Sequence, residues 1–297
     1  MIAKTAMTRK RRTHGAVLAV ALTGALLIAA PPAFSAGTGG PDSPVGGPGG
    51  YGAPPLLDDS FGSSKPGATI TSLSQFNPST PYGAKGTGWD RYMKGWSGQG
   101  PCDCANLVMQ PDHLDILPGT QGPAFIVSHF EFWPTGNESY YLEVRAMTGR
   151  GGYHGQTWPA IWFFSGNGPR RNNQRSEFDG MEIWNDLSFG TRADSDGLYT
   201  HYYTITSLAA GKQYEKQTIA TDNDITVNYN VYGFEFYRDS AGNMVMDGYF
   251  NGVKKGSLSR GLPWRSSPPA IIIGYNPGAT SYRPAVMKLD YVKVWKR

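Results

Sequence analysis

From Phe125 to the C-terminus the chain is a succession of short segments in which apolar and polar residues alternate, and none carries the three-to-four-residue apolar repeat of an amphipathic helix. The clearest segments are Phe125 to Phe132, Tyr140 to Met147, Ala160 to Phe164, Phe178 to Trp184, Tyr199 to Thr206, Asn228 to Tyr237, Met244 to Phe250, Ala270 to Tyr275 and Met287 to Trp295. Turn-forming runs separate several of them, including Asp239-Ser-Ala-Gly-Asn243, Asn251-Gly252 and Asn276-Pro-Gly278. Period-two alternation gives each strand one apolar face, and strands joined by short turns bury those faces best as two stacked antiparallel sheets. The expected fold class is therefore an all-β sandwich of two antiparallel sheets. The 39 glycines, 22 prolines and 13% aromatic content agree with that reading.

The N-terminus is built differently. Lys4, Arg9, Lys10, Arg11 and Arg12 precede an apolar run from Ala16 to Ala30 and the small-residue stretch Ala33-Phe-Ser-Ala36, which together predict a secretory signal peptide over residues 1–36. The apolar run is too short for a comfortable membrane span, and no later segment approaches the length a transmembrane helix needs. The leader holds five of the 27 basic residues and none of the 23 acidic ones, leaving 22 against 23 in the exported chain. Such a near-neutral protein lacks the basic footprint that nucleic acid or an anionic membrane demands, so neither is expected as a partner. Residues 37–55, rich in Gly and Pro with one charge at Asp42, read as a flexible tether. Residues 56–297 are expected to form one domain, a secreted monomer.

Cys102 and Cys104 are the only cysteines. The Cα atoms of an extended C-x-C lie about 6 to 7 Å apart, at the upper edge of bridging geometry, so a strained bridge and two thiols both stay open.

The segment that carries chemistry is Ser176-Glu-Phe-Asp-Gly-Met-Glu-Ile-Trp184, with three carboxylates in six strand-like residues. In a regular strand Glu177 and Asp179 share a face, whereas Glu182, five positions after Glu177, points away. One extra residue, a β-bulge at or near Gly180-Met181, restores the parity and brings all three acids to one face. Glu177 and Glu182 Cα atoms would then be about 13 Å apart, and two reaching side chains would bring the carboxyl groups within about 5 Å. That separation suits a retaining glycosidase, whose nucleophile and acid/base stand about 5 to 5.5 Å apart. Three acids so close cannot ionise independently, and Asp179, between the glutamates, is placed to bias where a shared proton sits. Aromatic rings near such a site would stack on sugar faces, and Trp158, Trp162 and Trp184 are the candidates, Trp162 being equally suited to core packing.

Trp158-Pro-Ala-Ile-Trp162, Glu177-Phe-Asp-Gly-Met-Glu182 and Leu289-Asp-Tyr-Val-Lys-Val-Trp295 together resemble glycoside hydrolase family 16. Tyr141-Leu-Glu-Val-Arg-Ala146 and Tyr232-Gly-Phe-Glu-Phe236 are similar to strands of that family, so the likeness extends from about Leu56 to Arg297. The resemblance implies a concanavalin A-like jelly roll with a concave cleft, in which an exported endo-enzyme cleaves a β-linked polysaccharide. It implies Glu177 as nucleophile, Asp179 as its assistant and Glu182 as acid/base, with His201 near the cleft. The bulged spacing is similar to the laminarinase, agarase and carrageenase branches, although Phe178 and Gly180 depart from the commoner Glu-Ile-Asp-Ile pattern. A β-1,3- or β-1,3/1,4-glucan is the expected substrate; a β-galactan hydrolase, a transglycosylase and a non-catalytic carbohydrate-binding module are the alternatives. Catalysis needs no cofactor, and the resemblance implies a structural Ca²⁺ bound through Asp290.

Overall fold

The computed structural model describes residues 47–51, 54–77, 88–90, 107–117, 124–149, 159–165, 176–183, 202–209, 212–258, 268–275 and 286–297. Two eight-stranded sheets are formed by these residues. The first runs β14 (Val253–Leu258), β13 (Met244–Phe250), β12 (Asn230–Arg238), β7 (Ser139–Met147), β16 (Met287–Lys296), β5 (Leu114–Ile116) and β4 (Leu107–Met109), with β1 (Leu57–Ser60) also paired to β16. The second runs β11 (Lys212–Ala220), β10 (Tyr202–Ala209), β9 (Ser176–Glu182), β8 (Pro159–Ser165), β15 (Pro269–Tyr275), β6 (Ala124–Glu131), β3 (Trp89–Asp90) and β2 (Phe76–Asn77). Every pairing between these strands is antiparallel except the two-residue contact of β2 with β3. Neighbours in each sheet are mostly distant in sequence, as β7 between β12 and β16 illustrates, and this interleaving is the mark of a jelly-roll sandwich.

Alternation does the folding work it promised. On β7, Leu142, Val144 and Ala146 point into the core while Tyr141, Glu143 and Arg145 lie on the opposite face. Between the sheets, Phe163 of β8 meets Phe234 and Phe236 of β12 at ring distances of 5.1 and 4.8 Å, and Phe178 of β9 meets Phe236 at 5.7 Å. Edge-to-face packing of this kind fixes one sheet against the other more specifically than aliphatic contact alone.

The turn signals hold where they are described. Asn251 and Gly252 adopt positive φ of 48° and 84° and close the β13–β14 hairpin, the backbone hand that matches strand twist. The Asp239 carboxylate accepts hydrogen bonds from the backbone N–H groups of Ala241 and Asn243 and caps the β12–β13 turn. Asn276-Pro-Gly278, Cys102 and Cys104 lie outside the described residues.

One boundary differs from expectation. Tyr51, inside the segment read as a tether, is 2% exposed and packs among Tyr141, Tyr249 and Trp295 on the outer face of the first sheet. Its hydroxyl donates to Glu235 at 2.9 Å and lies 2.8 Å from the Ser139 hydroxyl, and Arg297 donates to the Gly49 carbonyl at 3.0 Å. Composition missed this because one buried aromatic anchors a Gly/Pro-rich stretch that is otherwise featureless.

Candidate active site

β9 is flanked by β8 and β10, and both registers skip a residue of β9 at the same place. Against β10, Glu182 stands opposite Thr204 and Asp179 opposite Thr206, so that three steps on β9 face two on its neighbour. Against β8, Glu182 faces Ala160, Met181 faces Ile161, and Asp179 faces Trp162, leaving Gly180 as the unpaired residue. This is the predicted bulge. Met181 is fully buried in the inter-sheet core with Phe178, and Glu177, Asp179 and Glu182 share the other face of the sheet.

Gly180 is required by close approach more than by backbone hand, since its φ is not in the left-handed region. A Cβ there would stand 2.7 Å from Cζ of Phe234 and 2.8 Å from Cε2 of Phe163, inside van der Waals contact. The extra residue thus fits only because it carries no side chain.

Burial differs along the trio. Glu177 is partly exposed, whereas Asp179 and Glu182 are 3% and 5% exposed. Burial first, then the charges of Glu182 and Glu177 and a hydrogen bond with Glu177, hold the Asp179 carboxyl well above the usual carboxylate range. A carboxyl raised in this way favours its protonated form in the hydrogen bond it shares with Glu177. In register, Phe164 stands opposite Glu177 and Ala160 opposite Glu182, and the Thr204 hydroxyl donates to the Glu182 carbonyl at 3.4 Å.

Trp162 lies on the acid-bearing face opposite Asp179, but it is 2% exposed and meets Phe125 edge-on at 4.6 Å within an apolar cluster that includes Phe164, Ala270 and Ile272. This burial agrees with the core-packing reading of Trp162, whose indole lies beside Asp179 on the acid-bearing face. Trp158, Trp184 and His201 lie outside the described residues. Sequence reasoning missed Thr204 and Thr206, and beyond them the exposed Thr218 and Lys216 of β11, which continue the acid-bearing face to the sheet edge. Only pairing register could have found them, because their local sequence resembles any polar edge strand.

Asp290 is engaged by two side-chain cations. Its carboxylate forms ion pairs with Lys65 and Arg145, and its backbone carbonyl accepts from Phe61 N–H at 2.9 Å and from Lys65 Nζ at 3.3 Å. Ca²⁺ takes six to eight oxygen ligands, whereas two cationic nitrogens hold this carboxylate. Among the described residues no group of three or more His, Cys, Asp and Glu side chains is arranged to hold a metal ion.

The fold and site together define a jelly-roll sandwich with a bulged strand that presents three acids on one sheet face. No family model and no curated protein matches the chain. Among solved structures it is similar to an endo-1,3-β-glucanase from Streptomyces sioyaensis, with a TM-score of 0.54 and 16% identity over 82% of this chain and 95% of that one. It is also similar to a structure described as a native glycosidic hydrolase, with a TM-score of 0.53 and 16% identity over 80% and 94% of the two chains. A Bacillus licheniformis β-glucanase follows, with a TM-score of 0.50 and 15% identity over 73% and 96%. At these identities the likeness establishes the shared fold.

Proposed function

We propose that the protein is a secreted, retaining endo-glycosidase that hydrolyses a β-linked polysaccharide, a β-1,3- or β-1,3/1,4-glucan, as the resemblance to glycoside hydrolase family 16 implies. The observation that carries the reading is the bulge at Gly180-Met181, because it alone sets Glu182 on the face of Glu177 and Asp179.

In the first step the Glu177 carboxylate attacks the anomeric carbon while Glu182 protonates the departing glycosidic oxygen, leaving a glycosyl ester on Glu177. In the second, Glu182 as carboxylate takes a proton from water, which attacks the same carbon and releases Glu177. The Asp179 O–H orients Glu177 beforehand and stabilises its negative charge as it leaves. Each proton is returned and no cofactor is consumed. Polysaccharide is the partner of this reading, and the exported form would work outside the cell.

Reducing-sugar release is to be measured on laminarin, lichenan, agarose and carrageenan, with Glu177→Gln and Glu182→Gln as controls. Laminarin or lichenan should be cut by the parent chain and by neither variant. Full turnover by folded Glu177→Gln refutes the assignment, and release from agarose alone moves the substrate to a galactan.

A further inference from the structure

We infer that Lys65 supplies, from within the chain, the positive charge that Asp290 would otherwise take from a divalent ion, so that this edge of the sandwich is closed by a covalently tethered cation. The inference does not depend on the proposed activity.

Asp290 is the extra residue of a second bulge, since the β16 register against β7 shifts between Leu289 and Tyr291. Its carbonyl is therefore released from that ladder and serves Phe61 N–H and Lys65 Nζ instead. The ammonium thus meets a carboxylate oxygen and a carbonyl oxygen of one residue, a pair of hard oxygen donors that would equally suit a metal. Arg145 pairs with the other carboxylate oxygen, and its guanidinium is steadied 4.8 Å over the Tyr229 ring. Two side-chain cations thus hold the one Asp290 carboxylate.

Lys65 is not a surface side chain that happens to reach inward. Its loop is pinned by hydrogen bonds from Ser63 N–H to the Gln110 carbonyl at 2.7 Å and from Ser64 N–H to the Pro111 carbonyl at 2.9 Å. Gly62, at φ +148°, lets the chain pass where a Cβ would stand 2.8 Å from the Pro111 carbonyl oxygen. The Lys65 side chain is 25% exposed. Backbone geometry therefore brings the Lys65 backbone beside the bulge, and the side-chain rotamers are fixed by the ion pair itself.

Thermal unfolding of the exported chain, followed by circular dichroism in millimolar EDTA and in millimolar CaCl₂, tests this. The parent is expected to show the same Tm in both. Lys65→Met should unfold lower by on the order of 5 °C in either solution. Lys65→Glu, which sets a second carboxylate against Asp290, should also be lower in EDTA and rise in CaCl₂. Three results each overturn the inference: a parent Tm that responds to calcium or EDTA, a Lys65→Met chain at the parental Tm, or a Lys65→Glu chain indifferent to calcium. Should Lys65→Met not be recovered folded, Lys65→Glu prepared with and without CaCl₂ gives the same reading. Folded recovery only with calcium supports the inference, and recovery under neither condition counts against it.

Discussion

Deleting Gly180 should be tolerated, although removing one residue from a central strand normally turns every later side chain to the wrong face. The chain from Asp179 to Glu182 takes three steps where Thr206 to Thr204 and Trp162 to Ala160 take two. Without Gly180 it also takes two, Met181 still faces Ile161, and the acids fall at regular alternate positions on the same face. Little packing is lost, because Gly180 contributes only backbone against Phe234 and Phe163; about 1 to 2 kcal/mol is expected, at the lower end of core truncations. Adding a methyl should do comparable or greater harm. Gly180→Ala forces a Cβ against two fully buried rings locked edge-to-face at 5.1 Å, an overpacking worth about 1 to 3 kcal/mol. Deletion of Met181 keeps the parity but removes a fully buried side chain, at about 2 to 5 kcal/mol. Deletion of Phe178 is the worst case, since it turns Glu177 into the apolar core. Urea unfolding would rank the four, and laminarin hydrolysis would show the Gly180 deletion reduced by about 100-fold, as an ångström-scale misplacement predicts, yet measurable. If the Gly180 deletion proved as damaging as that of Phe178, the two-for-three register would be wrong.

Asp179→Asn should be more stable than the parent at neutral pH. The folded chain keeps a proton on Asp179 that the unfolded chain releases above about pH 4, so parental stability falls as pH rises from there to the raised folded value, by at most about 1.4 kcal/mol per unit. Urea midpoints from pH 4 to pH 8 should therefore slope less steeply for Asp179→Asn, and equal slopes would remove the shared-proton account. The same variant should lose less activity than Glu177→Gln, because its amide still donates to Glu177. Azide supplied to Glu177→Ala should yield an α-glycosyl azide, and to Glu182→Ala a β-glycosyl azide, by nuclear magnetic resonance of the products; exchanged anomers would exchange the two roles. Tyr51→Phe, which strips the hydroxyl bonded to Ser139 and Glu235, should cost about 1 to 3 kcal/mol in urea unfolding, whereas a parental midpoint would return residues near Tyr51 to the status of a tether.

The sequence by itself determined what is local. Period-two alternation located β6 to β10, β12, β13, β15 and β16 to within a few residues, Asn251-Gly252 announced a turn, and the parity of three acids demanded a bulge that the two registers place at Gly180. Each of these is set by residues within a few positions of one another. It gave no sign of β11 and β14, because edge strands face water on one side and their Lys-rich, polar sequences keep that edge from pairing with another chain. Tertiary structure alone decided that Tyr51 packs against Tyr141, that Trp162 is buried beside Asp179, and that Asp290 is held by Lys65 and Arg145, partners 225 and 145 positions away. Which strand lies beside which is a global choice made by burying both apolar faces at once, and no window along the chain contains it.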